Sequence, residues 1–158
     1  MSTAEVVAAA LAALGVEHEE RDPGQFLVTL QGTRRLQTHC WLVVREQALF
    51  VQAFVCRRPD EDHEAVYRFL LQRNARLYGV HYMLDRIGDI HLVGRVPLEG
   101  VTPDEIDRLL GQVLEAADGD FNTLLELGFA TSIRREYAWR NERGESVANL
   151  AAFEHLFR

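Results

Sequence analysis

Lysine is absent from this 158-residue chain, and all 17 of its basic residues are arginine. Chemistry that needs a lysine amine is therefore closed to it: Schiff-base formation, the phosphate-gripping lysine of a P-loop and the lysine of a kinase site. Cysteine is scarce, with only Cys40 and Cys56, so no disulfide framework holds the fold together. No apolar run reaches the ~18 residues of a membrane-spanning helix, and no charged start followed by an apolar stretch marks a secretory leader. Cytoplasm is the expected compartment, with no membrane partner. Positive charge is also in short supply: 17 arginines face 24 acids, a formal net charge of −7. That balance disfavours a partner held by its phosphates, so nucleic acid is not expected.

The chain is 47% hydrophobic and 26% charged, the composition of a soluble globular domain. No Pro-, Gly- or Ser-rich linker and no repeat divides it. The expectation is a single domain over residues 1–158, with a core over 2–117 and a helical extension over 120–158.

Val6, Val7, Ala10, Leu11 and Leu14 form a helical stripe, with Ser2 and Glu5 in capping-box register and Gly15 as the stop. After the turn-forming Asp22-Pro23-Gly24, three β-rich stretches (26–30, 38–44 and 49–55) read as an antiparallel meander. Pro59-Asp60-Glu61-Asp62 opens a second helix through Val66, Leu70 and Leu77, expected to run about 16 residues to Gly79. Strands over 80–84 and 90–96 form a hairpin around Asp85-Arg86-Ile87-Gly88-Asp89. Thr102-Pro103-Asp104-Glu105 starts a third helix, with Glu105 placed to reach back to the cap, and Ile106, Leu109, Leu110, Val113 and Leu114 as its buried stripe. Helical segments follow from Phe121 to Leu127, from Ser132 and from Ser146.

This α+β order of helix, three-stranded meander, helix, hairpin and helix, with additional C-terminal helices, resembles the fold of type III secretion chaperones. The strings Leu70-Leu71-Gln72-Arg73-Asn74-Ala75-Arg76-Leu77-Tyr78-Gly79, Val93-Gly94-Arg95-Val96-Pro97-Leu98 and Phe121-Asn122-Thr123-Leu124-Leu125-Glu126-Leu127-Gly128-Phe129-Ala130 are similar to those of bacterial YbjN-domain proteins. So are Ser132-Ile133-Arg134-Arg135-Glu136-Tyr137-Ala138-Trp139-Arg140 and the closing Asn149-Leu150-Ala151-Ala152-Phe153. The resemblance implies a chaperone-like fold and a regulatory label, with no enzyme activity and no catalytic residues to carry over.

The most informative segment is the central hairpin. A two-residue loop at Glu46-Gln47 pairs Val43 with Phe50, Trp41 with Gln52 and His39 with Phe54. One face then carries Cys40, Leu42, Val44, Leu49, Val51, Ala53 and Val55, and should pack on helices. The other carries His39, Trp41, Val43, Phe50, Gln52, Phe54 and Cys56, the aromatic and polar mixture of an interface. Either the C-terminal helices cover that second face or it binds another protein or a second copy of the chain, as in a homodimer. The register also puts the two cysteines on opposite sides of the sheet, which disfavours a disulfide between them.

Other constellations read as structural. His81, Met83, His91, Val93 and Arg95 share one face of the second hairpin near Asp85 and Asp89, but the spacing matches no metal motif, and no cofactor is expected. Asp118, Asp120 and Asn122 imitate a calcium loop until Thr123 and Phe129 break the pattern, which leaves Asp120 as a helix cap. Ser146 lacks the second glycine of a nucleophile elbow and reads as a cap too. Arg134, Arg135, Trp139, Arg140 and Arg143 suggest a nucleic-acid patch, yet four arginines there face Glu136, Glu142 and Glu145, a net of +1. A second class of function, ligand or acid–base chemistry, would have to use His39, His81 and His91. The leading expectation is a non-catalytic protein-binding module acting through His39, Trp41, Phe50, Gln52 and Phe54.

Overall fold

The computed structural model describes residues 1–158. Helix α1 (Thr3–Leu14) begins with a complete capping box, in which Glu5 N–H donates to Ser2 Oγ (3.2 Å) and Ser2 N–H donates to the Glu5 carboxylate (2.9 Å). Four antiparallel strands follow: β1 (Glu17–Asp22), β2 (Gln25–Gln31), β3 (Gln37–Val44) and β4 (Ala48–Cys56). The sequence leads one to expect three strands here, and β1 is the addition. Its Glu-His-Glu-Glu-Arg-Asp run has no apolar alternation, and it becomes a strand because the turn at Pro23-Gly24 lays its backbone along β2. It forms one edge of the sheet, where a run of charge discourages further strand pairing.

Helix α2 (His63–Asn74) spans 12 residues, fewer than the sequence suggests. The chain joins it late, because the Asp60 and Glu61 N–H groups donate to the Gly128 carbonyl and Asp62 takes a left-handed conformation at φ 50°. It leaves early, because the Asn74 side chain turns to the next strand. Strands β5 (His81–Leu84) and β6 (Ile90–Pro97) form the expected hairpin, with Leu84 opposite Ile90. Tyr82 N–H donates to Asn74 Oδ1 (2.7 Å), and Asn74 Nδ2 donates to the Tyr82 carbonyl (3.2 Å).

A short 3-10 turn (Leu98–Gly100) leads to α3 (Pro103–Gly119), α4 (Phe121–Gly128), α5 (Ala130–Glu142) and a C-terminal 3-10 helix (Ala148–Phe157). Thr102 caps α3 by accepting from Glu105 N–H at 3.1 Å. Glu105 does not complete a capping box, since its carboxylate accepts from the Tyr78 hydroxyl and pairs with Arg108.

The six strands make one antiparallel sheet in the order β1-β2-β3-β4-β6-β5. Its inner face presents Phe26, Val28, Leu42, Val51 and Leu92 to Val7 and Leu11 of α1 and to Ile106, Leu109 and Val113 of α3. These belong to one cluster of 29 buried residues that runs on to Leu124 and Phe129. Each fully buried large aliphatic side chain contributes about 1.5–3 kcal/mol. A separate small cluster, Ile133, Leu150 and Phe153, holds α5 to the C-terminal 3-10 helix, where Tyr137 stacks on Phe157 at 3.9 Å.

Two carboxylates at the end of α3 join distant parts of the chain. Asp120 is not a side-chain helix cap, as its sequence position suggests; it is drawn inward, where Arg73 of α2 donates to it at 2.8 Å and the Tyr82 hydroxyl of β5 at 2.7 Å. Arg73 also pairs with Glu115. Asp118 faces the loop between β2 and β3 and accepts the N–H groups of Thr33, Arg34 and Arg35 at 2.7–2.9 Å, with the Thr33 hydroxyl added. A side chain at Gly32 would collide with the Arg35 carbonyl and the Asp118 carboxylate, so the close approach requires glycine.

Three predictions follow from these contacts. Asp120→Ala takes the buried acceptor from both Arg73 and the Tyr82 hydroxyl, leaving Arg73 only the exposed Glu115, and should cost about 3 kcal/mol in urea unfolding. Thr38, on the inner face, has a buried hydroxyl without a partner, so Thr38→Val should raise stability by about 1 kcal/mol in the same assay. Burial alone would push the Asp118 carboxyl up, but its N–H and hydroxyl donors outweigh burial and hold it below the usual carboxylate range. Its contribution is then fully present above the unfolded value of about 3.9 and is lost as the pH falls through that value and the lower folded one. Acidification from about pH 5 to about pH 3 should lower the unfolding midpoint of the native chain more than that of Asp118→Asn.

Candidate functional site

The β3–β4 hairpin has the register expected from its sequence. Arg45 N–H donates to the Ala48 carbonyl at 2.9 Å across Glu46-Gln47, and Val43 pairs with Phe50 and Trp41 with Gln52. With a side-chain period of two, Cys40, Leu42, Leu49, Val51, Ala53 and Val55 are all buried against the helices. His39, Trp41, Val43, Phe50, Gln52 and Phe54 point the other way.

Neighbouring strands extend this outer face in rows. Leu27 of β2 stands beside Trp41, and on the other flank Gln52 stands beside Val93 of β6, which is opposite His81 of β5. Val43 stands between Gln25 and Phe50, and Phe50 is opposite Arg95. The next row carries Thr29 beside His39, with a 3.3 Å hydrogen bond between Thr29 Oγ1 and His39 Nδ1, and Phe54 beside His91. Trp41, Val43 and Phe50 are half-buried by these flanking groups, while His39 and Gln52 are exposed and Phe54 is 41% exposed.

The aromatic rings are braced by cations and by an imidazole. The Arg45 and Arg95 guanidinium groups each lie 4.8 Å from the Phe50 ring centre, and His91 meets Phe54 edge-on at 5.5 Å. Glu17 and Glu19 of β1 stand beside Thr29 and Leu27, so the face is acidic at one edge and basic around Phe50. A shallow groove of about 560 Å³ runs between β4, β6 and β5, lined by Phe50, Gln52, His81, Met83, Val93 and Arg95. Gly94 on its floor lets the Gly79 carbonyl approach, which a side chain would block. Sequence reading finds both walls but not the groove, because it depends on β4 pairing with β6 across the intervening α2.

The C-terminal helices do not cover this face. They sit at one end of it, where Cys56 is buried because a register shift between Phe54 and Cys56 turns it in beneath them. Cys56 therefore does not belong to the open surface where the alternation puts it. Both cysteines are free and buried, and burial pushes the Cys40 thiol up to about 12 and the Cys56 thiol up to about 11.

The three candidate histidines are not gathered into one site. His39 bonds to Thr29 and His81 is exposed, while His91 Nε2 lies 2.8 Å from the Asp85 carboxylate. Asp85 also accepts the Ile87 and Asp89 N–H groups, and these contacts, that of His91 first, hold its carboxyl below the usual range. No group of three or more His, Cys, Asp or Glu side chains is placed to hold a metal ion. Most arginines of α5 and its C-terminal end are laced to their surroundings: Arg140 to Glu136, Arg143 to Glu145 and over Trp139, and Arg134 to the Leu156 carbonyl, while Arg135 is exposed and makes no ion pair. Ser146 Oγ accepts from Ala148 N–H at 3.2 Å at the start of the C-terminal 3-10 helix. No helix is long and apolar enough to cross a membrane.

Comparison with known proteins agrees with this architecture. An uncharacterized protein of Mycobacterium leprae is 61% identical over 132 residues, covering 84% of this chain and 72% of its own. A chain of the HopA1–SchA chaperone–effector complex superposes with a TM-score of 0.54 at 17% identity, covering 75% of this chain and 91% of its own. YbjN of E. coli superposes at 0.53 and 15% identity, covering 78% and 89%. The fold is that of the type III secretion chaperones. The family model described as "Putative bacterial sensory transduction regulator" matches residues 3–126, and the chain belongs to that family, YbjN.

Proposed function

We propose that this protein is a non-enzymatic regulatory or chaperone-like module of the cytoplasm, folded as a single domain, that binds another protein through the outer face of its sheet. The observation that carries this reading is one-sided coverage. The inner face is packed under α1 and α3, whereas a contiguous outer surface of Leu27, Trp41, Val43, Phe50, Phe54 and Val93 stays open. Contiguous apolar patches with a polar rim mark interaction sites. Burying such rings removes apolar area from water at roughly 25 cal/mol per Å², with His39, Gln52, Arg45 and Arg95 as the rim. The partner gains a central aromatic anchor in Trp41, the residue type that dominates interface energies.

The solved chaperone–effector complex with the same fold supports a scaffold able to hold a second chain. The candidate histidines are not gathered into one site, and of the arginines on and beside α5 only Arg134 and Arg135 lack an acid, a small basic surface on a chain of net charge −7, which favours protein binding over the alternatives of an enzyme or a nucleic-acid binder.

The test compares the two tryptophans. Trp41 lies on the face, and Trp139 lies away from it on α5, 50% exposed and stacked on Arg143. In affinity capture from the source cells, Trp41→Ala should weaken the specific partner by more than about tenfold. It should remain folded, at a cost of no more than about 2 kcal/mol, and Trp139→Ala should retain the partner. Equal capture by Trp41→Ala and the native chain would remove the face from consideration. A self-association lost in Trp41→Ala alone, seen by light scattering, would identify the partner as a second copy.

A further inference from the structure

Beyond that face, a second concavity lies where the end of the sheet meets the C-terminal helices. It measures about 540 Å³, and its walls are mainly apolar: Phe54, Leu125, Phe129, Ile133, Leu150 and Phe153. Pockets of about 300–1,000 Å³ with apolar walls and a few placed polar groups are the form small-molecule sites take.

The polar group at its mouth is Arg35. Of the 17 arginines only Arg35, Arg73 and Arg140 are drawn partly into the surface. Arg73 is paired with Asp120 and Glu115, and Arg140 with Glu136 and Glu145. Arg35 has no acid. Its Nε donates to the Gln37 carbonyl at 3.1 Å, and neither terminal nitrogen has a protein acceptor. The guanidinium lies between the Phe54 and Phe121 rings, 5.7 and 5.2 Å from their centres. Burial lowers its pKa, the mark of a charge left short of solvent. Cys56 beside it is no counter-ion, because burial pushes that thiol up to about 11 and keeps it neutral. The loop that carries Arg35 is fixed by the Asp118 carboxylate, so the cation is held in place before anything binds.

We propose that this cleft binds a single-chain amphiphile with a carboxylate head, the carboxylate on the terminal nitrogens of Arg35 and the tail along Leu125, Phe129, Leu150 and Phe153. Guanidinium and carboxylate match in geometry and charge, and the pairing is strongest where water is scarce. The other charged lining groups are engaged, Arg57 with Asp60 and Glu136 with Arg140, and the Ser132 hydroxyl donates to Asp60. One free cation above apolar walls suits one charged head and a hydrocarbon tail. It does not suit a peptide, whose repeated amides would need partners along the whole wall. The far wall is able to yield, since it is a ten-residue 3-10 helix, a conformation rarely sustained beyond 3–4 residues, and it belongs to the small cluster outside the main core.

The test uses the full chain and decanoate below micelle formation, followed by methyl NMR and calorimetry. Decanoate should shift the methyl resonances of Leu125, Ile133 and Leu150, and it should bind roughly tenfold or more tightly than decanol. Arg35→Gln should abolish that preference while decanol affinity stays the same. Shifts in the native chain confined to other regions, or equal affinity for decanoate and decanol, would overturn the site whether or not the variant folds. Binding of a short apolar peptide with a free C-terminus, in the absence of decanoate binding, would overturn it in favour of a chain terminus.

Discussion

The architecture depends on one carboxylate, Asp120, at the junction of α3 and α4. It receives Arg73 from α2 and the Tyr82 hydroxyl from β5, so two successive elements are tied to a helix junction 38–47 residues further along the chain through a single buried charge. Asp118, two residues earlier, anchors the β2–β3 loop in the same way. Asp118 stands in the last turn of α3, where the helix dipole disfavours negative charge, so its position is held by donors rather than by the helix. With these ties in place the helices are confined to one side of the sheet. The outer face remains open because of where the inner one is anchored.

Parts of this were legible in the sequence because they are local. The β3–β4 register follows from a two-residue loop and strict alternation, and the second hairpin follows from Asp85 and Gly88 between two short apolar runs. The start of α3 could be read from Thr102 and Pro103. Strand β1 could not, because six consecutive polar residues carry no periodic signal and the strand arises from pairing with β2. The end of α2 could not either, since Asn74 leaves the helix to satisfy a strand eight residues on.

The site was half legible for the same reason. Local alternation sorts His39, Trp41, Phe50, Gln52 and Phe54 onto one face, but whether that face is covered depends on contacts between distant elements. The roles of Asp118 and Asp120 were hidden in the same way, since their partners lie up to 85 residues away. Arg35 had no sequence signal: its interest comes from the acid that is missing beside it. A chain without lysine places guanidinium groups where a ring needs a cation, as around Phe50, and a planar guanidinium suits a ring face better than a compact ammonium does.

The bonds between Asn74 and Tyr82 act on the molecule as a whole. The Asn74 amide supplies the donor and the acceptor that the backbone of a seventh strand would offer β5 at that point. At the opposite edge β1 presents a row of charge. Closed at both margins, the sheet has no ready template for templated growth, so the chain can keep a broad apolar surface in water without recruiting its own copies into a filament.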